Sequence, residues 1–578
     1  MHTALPDIIH KKMDTEKSKI VIYQVLPRLF GNSRKPKIEN GTIKENGCGK
    51  MADFTIKALN EIKKLGASHI WYTGIIEHAT QTDYSQYGIP ADHPSIVKGM
   101  AGSPYAIKDY YDIDPDLATS VPDRMKEFEN LVKRTHQVGL KVIIDFVPNH
   151  VARQYHSDAK PAGIKDLGED DRTDMHFSPN NNFYYLPYTP LKTPINPQDL
   201  YTPPYQEYPA KATGNDKFDA EPTVYDWYET VKLNYGVNYF ENRSKHFDPI
   251  PDTWKKMLDI LMFWADKNID GFRCDMAEMV PVEFWHWAIP QVKEAHPSII
   301  FIAEIYNPME FRNYIFNGQF DYLYDKVILY DTLRNVIGGF TSAMSLCHCW
   351  KKVEGISSHM LNFLENHDEQ RIPSLYFACD PRKGRAPMIV STCMNTNPIM
   401  IYFGQELGED GMQFEGYSGR DGRTTIFDYW NVDTIRRWSN RGKFDGALLK
   451  KEEKDLQKFY STLLNLCHTE KTIIEGSFYD LMYANVENNQ MNTSRQYAFL
   501  RKKDNELLLV IANFDENNAS VGVNIPKHAF DFLELPSMEN VVATDLISGQ
   551  TETISLMPDN LTFTKVDALN GKLLKITF

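Results

Sequence analysis

The chain lacks two features that would point to other classes of protein. Its 578 residues contain no run of about eighteen apolar residues, so the sequence predicts no membrane span. Basic residues are not in excess: 63 Lys and Arg stand against 77 Asp and Glu, and the formal net charge is −14. A nucleic-acid partner favours a basic face, so we expect none.

The sequence also has no pattern of paired cysteines, and it predicts no secretory leader. The seven cysteines are odd in number and scattered, which is typical of reduced thiols in a cytoplasmic protein. The one close pair, Cys347 and Cys349, has a spacing unsuited to structural zinc. Residues 1–19 are polar and charged, without the apolar stretch of a signal peptide. We therefore expect a cytoplasmic protein, and the sequence predicts no oligomeric state.

Short apolar, β-branched segments alternate with amphipathic segments through most of the chain. This alternation predicts repeated β/α units, with helices over 54–65, 121–138 and 253–266. The eight predicted strands cover residues 20–25, 69–73, 141–147, 271–275, 299–304, 320–323, 360–365 and 398–403. Eight such strands predict an α/β fold of the (β/α)₈ barrel type.

Two regions depart from the β/α alternation. Residues 151–235 are rich in Pro, Tyr, Asn and Asp with little periodicity, and a long irregular connection in a compact fold is usually functional. After residue 470, alternating strands and polar turns predict an antiparallel β-sandwich. We therefore predict a barrel over 1–150 and 236–470, an inserted domain over 151–235, and a C-terminal domain over 471–578.

Four acidic segments lie at the C-terminal ends of predicted strands, at residues 145–150, 271–275, 302–304 and 365–368. The C-terminal ends of barrel strands meet on one face, so the carboxylates of these segments should converge there. Convergent carboxylates beside an arginine and two histidines are what the cleavage of a glycosidic bond needs.

Two of these carboxylates have the positions that a retaining glycosidase requires. We predict Asp275 as the nucleophile and Glu304 as the general acid/base, because neighbouring strands can hold them about 5–5.5 Å apart. The apolar residues before Glu304 would favour its neutral, protonated form. Arg273 lies two residues before Asp275, on the same face of the strand, and we expect it to lower the pKa of Asp275.

In their order along the chain, the four segments resemble the four conserved regions of the α-amylase superfamily, a clan of retaining α-glucoside enzymes. Residues 23–28, 109–115 and 398–406 resemble the first strand of that family, the segment before its second helix, and its eighth strand. The resemblance covers roughly residues 18–440. It implies a barrel with an inserted domain B after the third strand and a β-sandwich C-terminal domain.

The resemblance also implies roles for further residues. Asp368 would be the third catalytic carboxylate, gripping sugar hydroxyls and helping to distort the ring. His150 and His367 would hydrogen-bond the same sugar, and Tyr105 would stack beneath it. We expect Asp145, within the third strand, to orient the arginine rather than to touch the scissile bond.

The chain departs from the calcium-binding members of the superfamily. Asn149, one usual ligand, is present, but Lys232 stands where those members tend to carry an Asp. The segment 231–234 resembles neopullulanases and cyclomaltodextrinases, and Glu278 and Met279 replace a common Lys-His pair. The chemistry needs no cofactor. A structural calcium is not favoured, Asn149 is only a weak candidate ligand, and the ammonium of Lys232 would fill the position of the cation.

The leading functional hypothesis is retaining hydrolysis of α-1,4 bonds in maltooligosaccharides or starch by double displacement. A transglycosylase or isomerase with the same site is the alternative, of the glucanotransferase, maltosyltransferase or trehalose synthase type. Residues 281–285 and 296–297 also resemble maltosyl-transferring members. A non-catalytic barrel that only binds a partner is disfavoured, because all three carboxylates are present.

Overall fold

The structure is a computed structural model that describes residues 18–197 and 201–578. The prediction that residues 1–19 are not a signal peptide therefore falls almost wholly outside the described residues. In the part of the chain that is described, no helix has the length and apolar character needed to cross a membrane.

Eight parallel strands close into a barrel, as the sequence predicts, and each strand pairs with its neighbours in chain order. The strands are β1 Val21–Val25, β2 His69–Tyr72, β3 Lys141–Phe146, β4 Gly271–Cys274, β5 Ile300–Ala303, β6 Tyr322–Tyr324, β7 Met360–Phe363 and β8 Ile399–Tyr402. In the register of β4, Arg273 lies level with Asp145 on β3 and Ile302 on β5. This register brings the arginine and the acidic residue of β3 together.

The longer helices surround the barrel. They are α1 Ile56–Leu65, α2 Arg124–Gln137, α3 Asp252–Ala265, α4 Val282–Ala295, α5 Asp331–Ile337, α6 Leu346–Lys352, α7 Arg385–Cys393 and α8 Lys451–Thr469. In α1, the Thr55 side chain accepts a hydrogen bond from the N–H of Ala58, which caps the first turn. The helix ends at Gly66, whose φ of 112° most side chains would disfavour. Further helices cover Pro27–Phe30, Ile43–Asn46, Asp433–Ser439, Lys471–Glu475 and Lys527–Leu533.

One strand prediction is displaced. The sixth strand was expected over 320–323, but β6 covers Tyr322–Tyr324. The N–H of Phe320 donates to the carbonyl of Tyr314 and so closes a turn, while the Phe320 ring packs 4.8 Å from that of Trp285. The apolar character of Phe320 thus reflects core packing before the strand begins.

The inserted region has no long element among its described residues. Its paired strands have two or three residues each: His150–Ala152 with Thr230–Lys232, and Tyr185–Leu186 with Ala210–Lys211. A further short pair, Val237–Asn238 with Ser244–Lys245, follows the predicted end of the region. The pairing of His150 with Lys232 joins the end of the segment to the loop after β3. This irregular structure explains the weak periodicity of the sequence.

The C-terminal region is an antiparallel β-sandwich, as predicted. Its strands are β9 Ser477–Asp480, β10 Gln496–Lys503, β11 Glu506–Asn513, β12 Ala519–Ile525, β13 Met538–Asp545, β14 Thr551–Leu556, β15 Asn560–Val566 and β16 Asn570–Thr577. Six of them form one sheet in the order β9-β10-β11-β16-β13-β14, and β12 pairs with β15. The domain boundaries drawn from the sequence stay predictions.

Candidate active site

The ends of β4 and β5 place two acidic side chains on the C-terminal face of the barrel. Asp275 directly follows β4, and Glu304 directly follows β5. The strand pairing continues past both strands, because the N–H of Asp275 donates to Phe146 O at 2.9 Å and that of Glu304 to Cys274 O at 3.2 Å. Both acidic residues are buried, with exposures of 6% and 3%. The predicted pair therefore lies on a rigid part of the fold.

The guanidinium of Arg273, completely buried, joins three carboxyl groups. Its Nη1 donates to Asp275 Oδ1 at 2.8 Å and to Asp145 Oδ1 at 3.3 Å, while Nη2 donates to Glu304 Oε2 at 2.7 Å. Its Nε donates to the hydroxyl of Tyr324 at 3.1 Å. A shared guanidinium keeps Asp275 and Glu304 close together, which is compatible with the separation of about 5–5.5 Å in retaining glycosidases.

The electrostatics of Asp275 differ from the prediction. We expected Arg273 to lower the pKa of Asp275, but burial raises that pKa well above its usual range and outweighs the arginine. The neighbouring carboxyls of Glu304, Asp145 and Asp368 act in the same direction as burial. Arg273 does lower the pKa of Asp275, as expected, but the net direction is upward because the strand end is buried and lies among three other carboxyls.

Two further groups hold Glu304, and the sequence analysis identified neither. The N–H of Met276 donates to Glu304 Oε2 at 2.8 Å, and the hydroxyl of Tyr306 donates to Oε1. Met276 has a φ of 42°, a left-handed conformation that is unusual for a side chain with a Cβ. The sequence position of Tyr306 could have identified it, because a residue two places after Glu304 lies on the same side of an extended segment.

The opposite wall of the site is built around His367. Gln24 Nε2 lies 2.8 Å from His367 Nδ1, while Nε2 of the same ring lies 2.6 Å from the hydroxyl of Tyr105 and 3.1 Å from Asp368 Oδ2. An amide donor at Nδ1 leaves the ring proton on Nε2, directed at Tyr105 and Asp368. Burial lowers the pKa of His367 well below its usual range, so the ring is neutral. His367 therefore orients Asp368 without carrying charge.

These walls enclose a cavity of about 350 Å³. It is lined by Lys98, Ser103, Tyr105, His150, Trp227, Glu229, Thr230, Asp275, Met276, Glu304, Tyr306, His367, Asp368, Ile426 and Phe427. The three predicted catalytic carboxylates and the predicted Tyr105, His150 and His367 meet here. The other two predicted site residues, Arg273 and Asp145, lie behind this lining. Trp71 Nε1 donates to Asp145 Oδ2 at 3.0 Å, so Asp145 supports Arg273 from the barrel interior, as expected.

A larger cavity, of about 1,000 Å³, lies at the other end of the barrel strands. Its lining includes Asp270 and Ile299, which precede β4 and β5, together with the C-terminal ends of α2, α3 and α4. None of the residues predicted to act in catalysis or substrate binding lies there. Its position, opposite to the convergent carboxylates, separates it from the candidate active site.

Lys232 occupies the surroundings of Asn149, the weak metal candidate. The Lys232 ammonium donates to Asn149 Oδ1, lies 2.7 Å from Asp216 Oδ1, and lies 3.3 Å from the carbonyl of Met279. Asn149 Nδ2 in turn donates to the carbonyl of Gly214 at 2.8 Å. These residues suit a fixed ammonium. Whether calcium binds at Asn149 stays a prediction.

Comparison with known proteins finds relatives that agree with one another, although each has low sequence identity to this chain. A cyclomaltodextrinase of Bacillus sp. is 23% identical over 513 residues, covering 86% of this chain and 73% of its own. The probable oligo-1,6-glucosidase 3 of Bacillus subtilis (strain 168) is 24% identical over 559 residues, covering 85% and 90%. Among solved structures, the acarbose complex of an α-amylase from Geobacillus thermoleovorans has a TM-score of 0.61 at 17% identity, covering 97% and 98%.

The family itself follows from a match over most of the chain. The model of the alpha-amylase catalytic domain matches residues 24–463, more than half of the sequence. This range contains the last two residues of β1, the other seven barrel strands, the inserted region and every residue assigned to the site. The chain belongs to the alpha-amylase family, and the protein is a glycoside hydrolase of that family.

Proposed function

We propose that the protein hydrolyses α-1,4 bonds of maltooligosaccharides or starch with retention of configuration at the anomeric carbon. The observation that carries this proposal is the single Arg273 guanidinium that hydrogen-bonds both Asp275 and Glu304 at the wall of the cavity. A nucleophile and an acid that share one guanidinium favour the short carboxyl separation of a retaining enzyme, about 5–5.5 Å, over the longer one of an inverting enzyme.

The charge of the cluster supports the division of roles. Three carboxyls, of Asp145, Asp275 and Glu304, surround one buried guanidinium, so full ionisation would leave two net negative charges out of water. The double displacement requires this cluster to hold one proton. In the reactive form that proton lies on Glu304, and the ionised Asp275 is paired with Arg273.

The proposed reaction has two displacements. In the first, an oxygen of Asp275 bonds to the anomeric carbon while the glycosidic C–O bond breaks and Glu304 gives its proton to the leaving oxygen. In the second, Glu304 takes a proton from water, the resulting hydroxyl oxygen bonds to the anomeric carbon, and the bond to Asp275 breaks. Asp368 and His367 would hydrogen-bond the hydroxyls of the reacting sugar, with Tyr105 beneath it.

The choice of an α-glucan follows from the lining of the cavity and from the relatives. Trp227 and Phe427 offer aromatic rings of the kind on which sugar faces pack, and Lys98, 3.0 Å from Glu229, adds a charged pair. The relatives named above are a cyclomaltodextrinase and a probable oligo-1,6-glucosidase. We propose that the protein works in the cytoplasm, in keeping with its seven unpaired cysteines.

The experiment is the stereochemical course of hydrolysis, followed by proton NMR with maltoheptaose as substrate. Retention predicts that the new reducing ends appear first as the α-anomer and reach the equilibrium mixture by mutarotation. Initial appearance of the β-anomer would refute the mechanism. The same reaction with and without added maltose separates the alternative, because a transglycosylase would give longer products when an acceptor sugar is present. Isomaltose and pullulan test the proposed preference for α-1,4 bonds.

A further inference from the structure

A second cluster of carboxylates lies outside the active site, where the first turns after β2 meet the inserted region. Glu77 lies on the short strand Ile76–His78, and Asp112 lies on the antiparallel strand Ile107–Ile113. Asp158 lies in the loop that follows the strand His150–Ala152. One carboxylate oxygen from each of these three residues lies within 4.8 Å of the other two.

Glu77 is the unusual member of the cluster. It is 1% exposed, and neither of its carboxylate oxygens accepts a hydrogen bond from the described part of the chain. A buried carboxylate without donors costs several kcal/mol, so such groups normally face a cation or carry a proton. The nearby Lys108 does not serve as that cation, because its ammonium pairs with Asp92 at 2.9 Å and also donates to the carbonyl of Pro90.

The neighbouring groups fix the other carboxylates but leave the cluster negative. Arg124 Nη2 donates to Asp112 Oδ2 and lies 3.6 Å from Asp158 Oδ2. Asp109 is fully engaged, since it accepts hydrogen bonds from Ser157 and from the N–H groups of Tyr111, Asp158 and Ala159. One arginine thus faces the three carboxylates of Glu77, Asp112 and Asp158, and Asp109 holds the backbone of Asp158 in place.

We propose that Glu77, Asp112 and Asp158 bind a calcium ion that ties the inserted region to the barrel. Oxygens that surround one ion at about 2.4 Å are at most about 4.8 Å apart, which is the spacing found here. Each carboxylate can offer one or two oxygens, and water can complete the coordination shell on the exposed Asp158 side. Such a set of ligands suits the flexible coordination of calcium better than the strict octahedron of magnesium. The sequence analysis considered calcium only at Asn149, so this site was not foreseen.

The test is calcium binding by the full-length protein after treatment with a chelator, measured by isothermal titration and by the shift in Tm with calcium chloride. We expect saturable binding and a calcium-dependent rise in Tm, because a ligand that binds only the folded state stabilises it. Asp158→Asn, at the exposed edge of the site, should weaken binding by about tenfold or more without preventing folding. Glu77→Gln should do the same.

Asp170→Asn is the matched control, since it removes one carboxylate from an exposed residue of the inserted region whose partner is Lys165. It should keep the calcium response of the parent. The absence of any calcium response in the parent would overturn the proposal and leave a proton as the occupant of Glu77. A response that survives Asp158→Asn and Glu77→Gln but is lost in Asn149→Ala would move the ion to Asn149, and would equally overturn it.

Discussion

Replacement of Asp275 by asparagine separates a catalytic carboxylate from a structural ion pair. The amide oxygen can still accept the hydrogen bond that Arg273 Nη1 makes at 2.8 Å, so the shape of the site is kept. The pKa of Asp275 is raised in the folded state, so its ionised form destabilises the fold at neutral pH relative to the unfolded chain. Removing that charge should therefore stabilise the protein.

The size of the effect follows from two opposing terms. Each unit by which burial raises the pKa is worth about 1.4 kcal/mol, while exchanging a charged for a neutral hydrogen bond to Arg273 costs about 1 kcal/mol. Because the pKa of Asp275 is raised well above its usual range, the first term is the larger. We expect Tm to rise by about 1–3 °C and kcat on maltoheptaose to fall by about 10⁴-fold or more.

Scanning calorimetry and reducing-sugar assays on the parent and Asp275→Asn give both quantities. Asp145→Asn is the matched control, because it removes a carboxylate from the same guanidinium without altering the cavity lining, and its kcat should fall far less. A fall in Tm of several degrees, with activity within about tenfold of the parent, would show that Asp275 belongs to a structural pair, whose loss costs about 3–5 kcal/mol.

Three other variants test separate parts of the account. Glu304→Gln should lose far more activity on maltoheptaose than on α-glucosyl fluoride, because fluoride leaves without a proton; equal losses would contradict its role as acid. Lys232→Asp should show a larger calcium-induced rise in Tm than the parent, because it replaces an ammonium beside Asn149 and Asp216 by a carboxylate. An unchanged response would mean that the surroundings of Asn149 cannot hold the ion. Burial lowers the pKa of His69 from 6.5 to about 3, so its contribution to stability is present above about pH 6.5 and is lost as the pH falls toward 3. His69→Asn should therefore reduce the drop in Tm between about pH 7.5 and 5, and an equal drop would refute this.

The barrel was predictable because each of its strands is a short apolar segment with a clear boundary. All eight lie within about two residues of the predicted bounds, and only the sixth is shifted as a whole toward the C-terminus. The position of Asp275 and Glu304 followed from the same pattern, since a residue that ends a parallel strand reaches the C-terminal face whatever the helices do. The helix Lys527–Leu533 was missed because its sequence is short and lies among strands.

The contacts that complete the site depend on distances that sequence spacing does not give. Gln24 and His367 are 343 residues apart and meet only because β1 and the loop after β7 share one face of the barrel. Glu77 likewise has no hydrogen-bond partner among the described residues, because the nearby Lys108 pairs with Asp92 instead. The direction of the pKa shift at Asp275 depends on how deeply the residue is buried and on how many acids surround it. Neither is visible in the spacing of Arg273 and Asp275.

The most direct test of the central claim is to trap the covalent intermediate and to find the residue that carries the sugar. A 5-fluoro-α-glucosyl fluoride has a good leaving group, and its ring fluorine slows hydrolysis of the glycosyl-enzyme. Mass spectrometry of the digested protein should find one hexosyl adduct, on the peptide that contains Asp275, and none in Asp275→Asn. An adduct on Glu304 or Asp368, or its persistence in the variant, would contradict the assignment of Asp275 as the nucleophile.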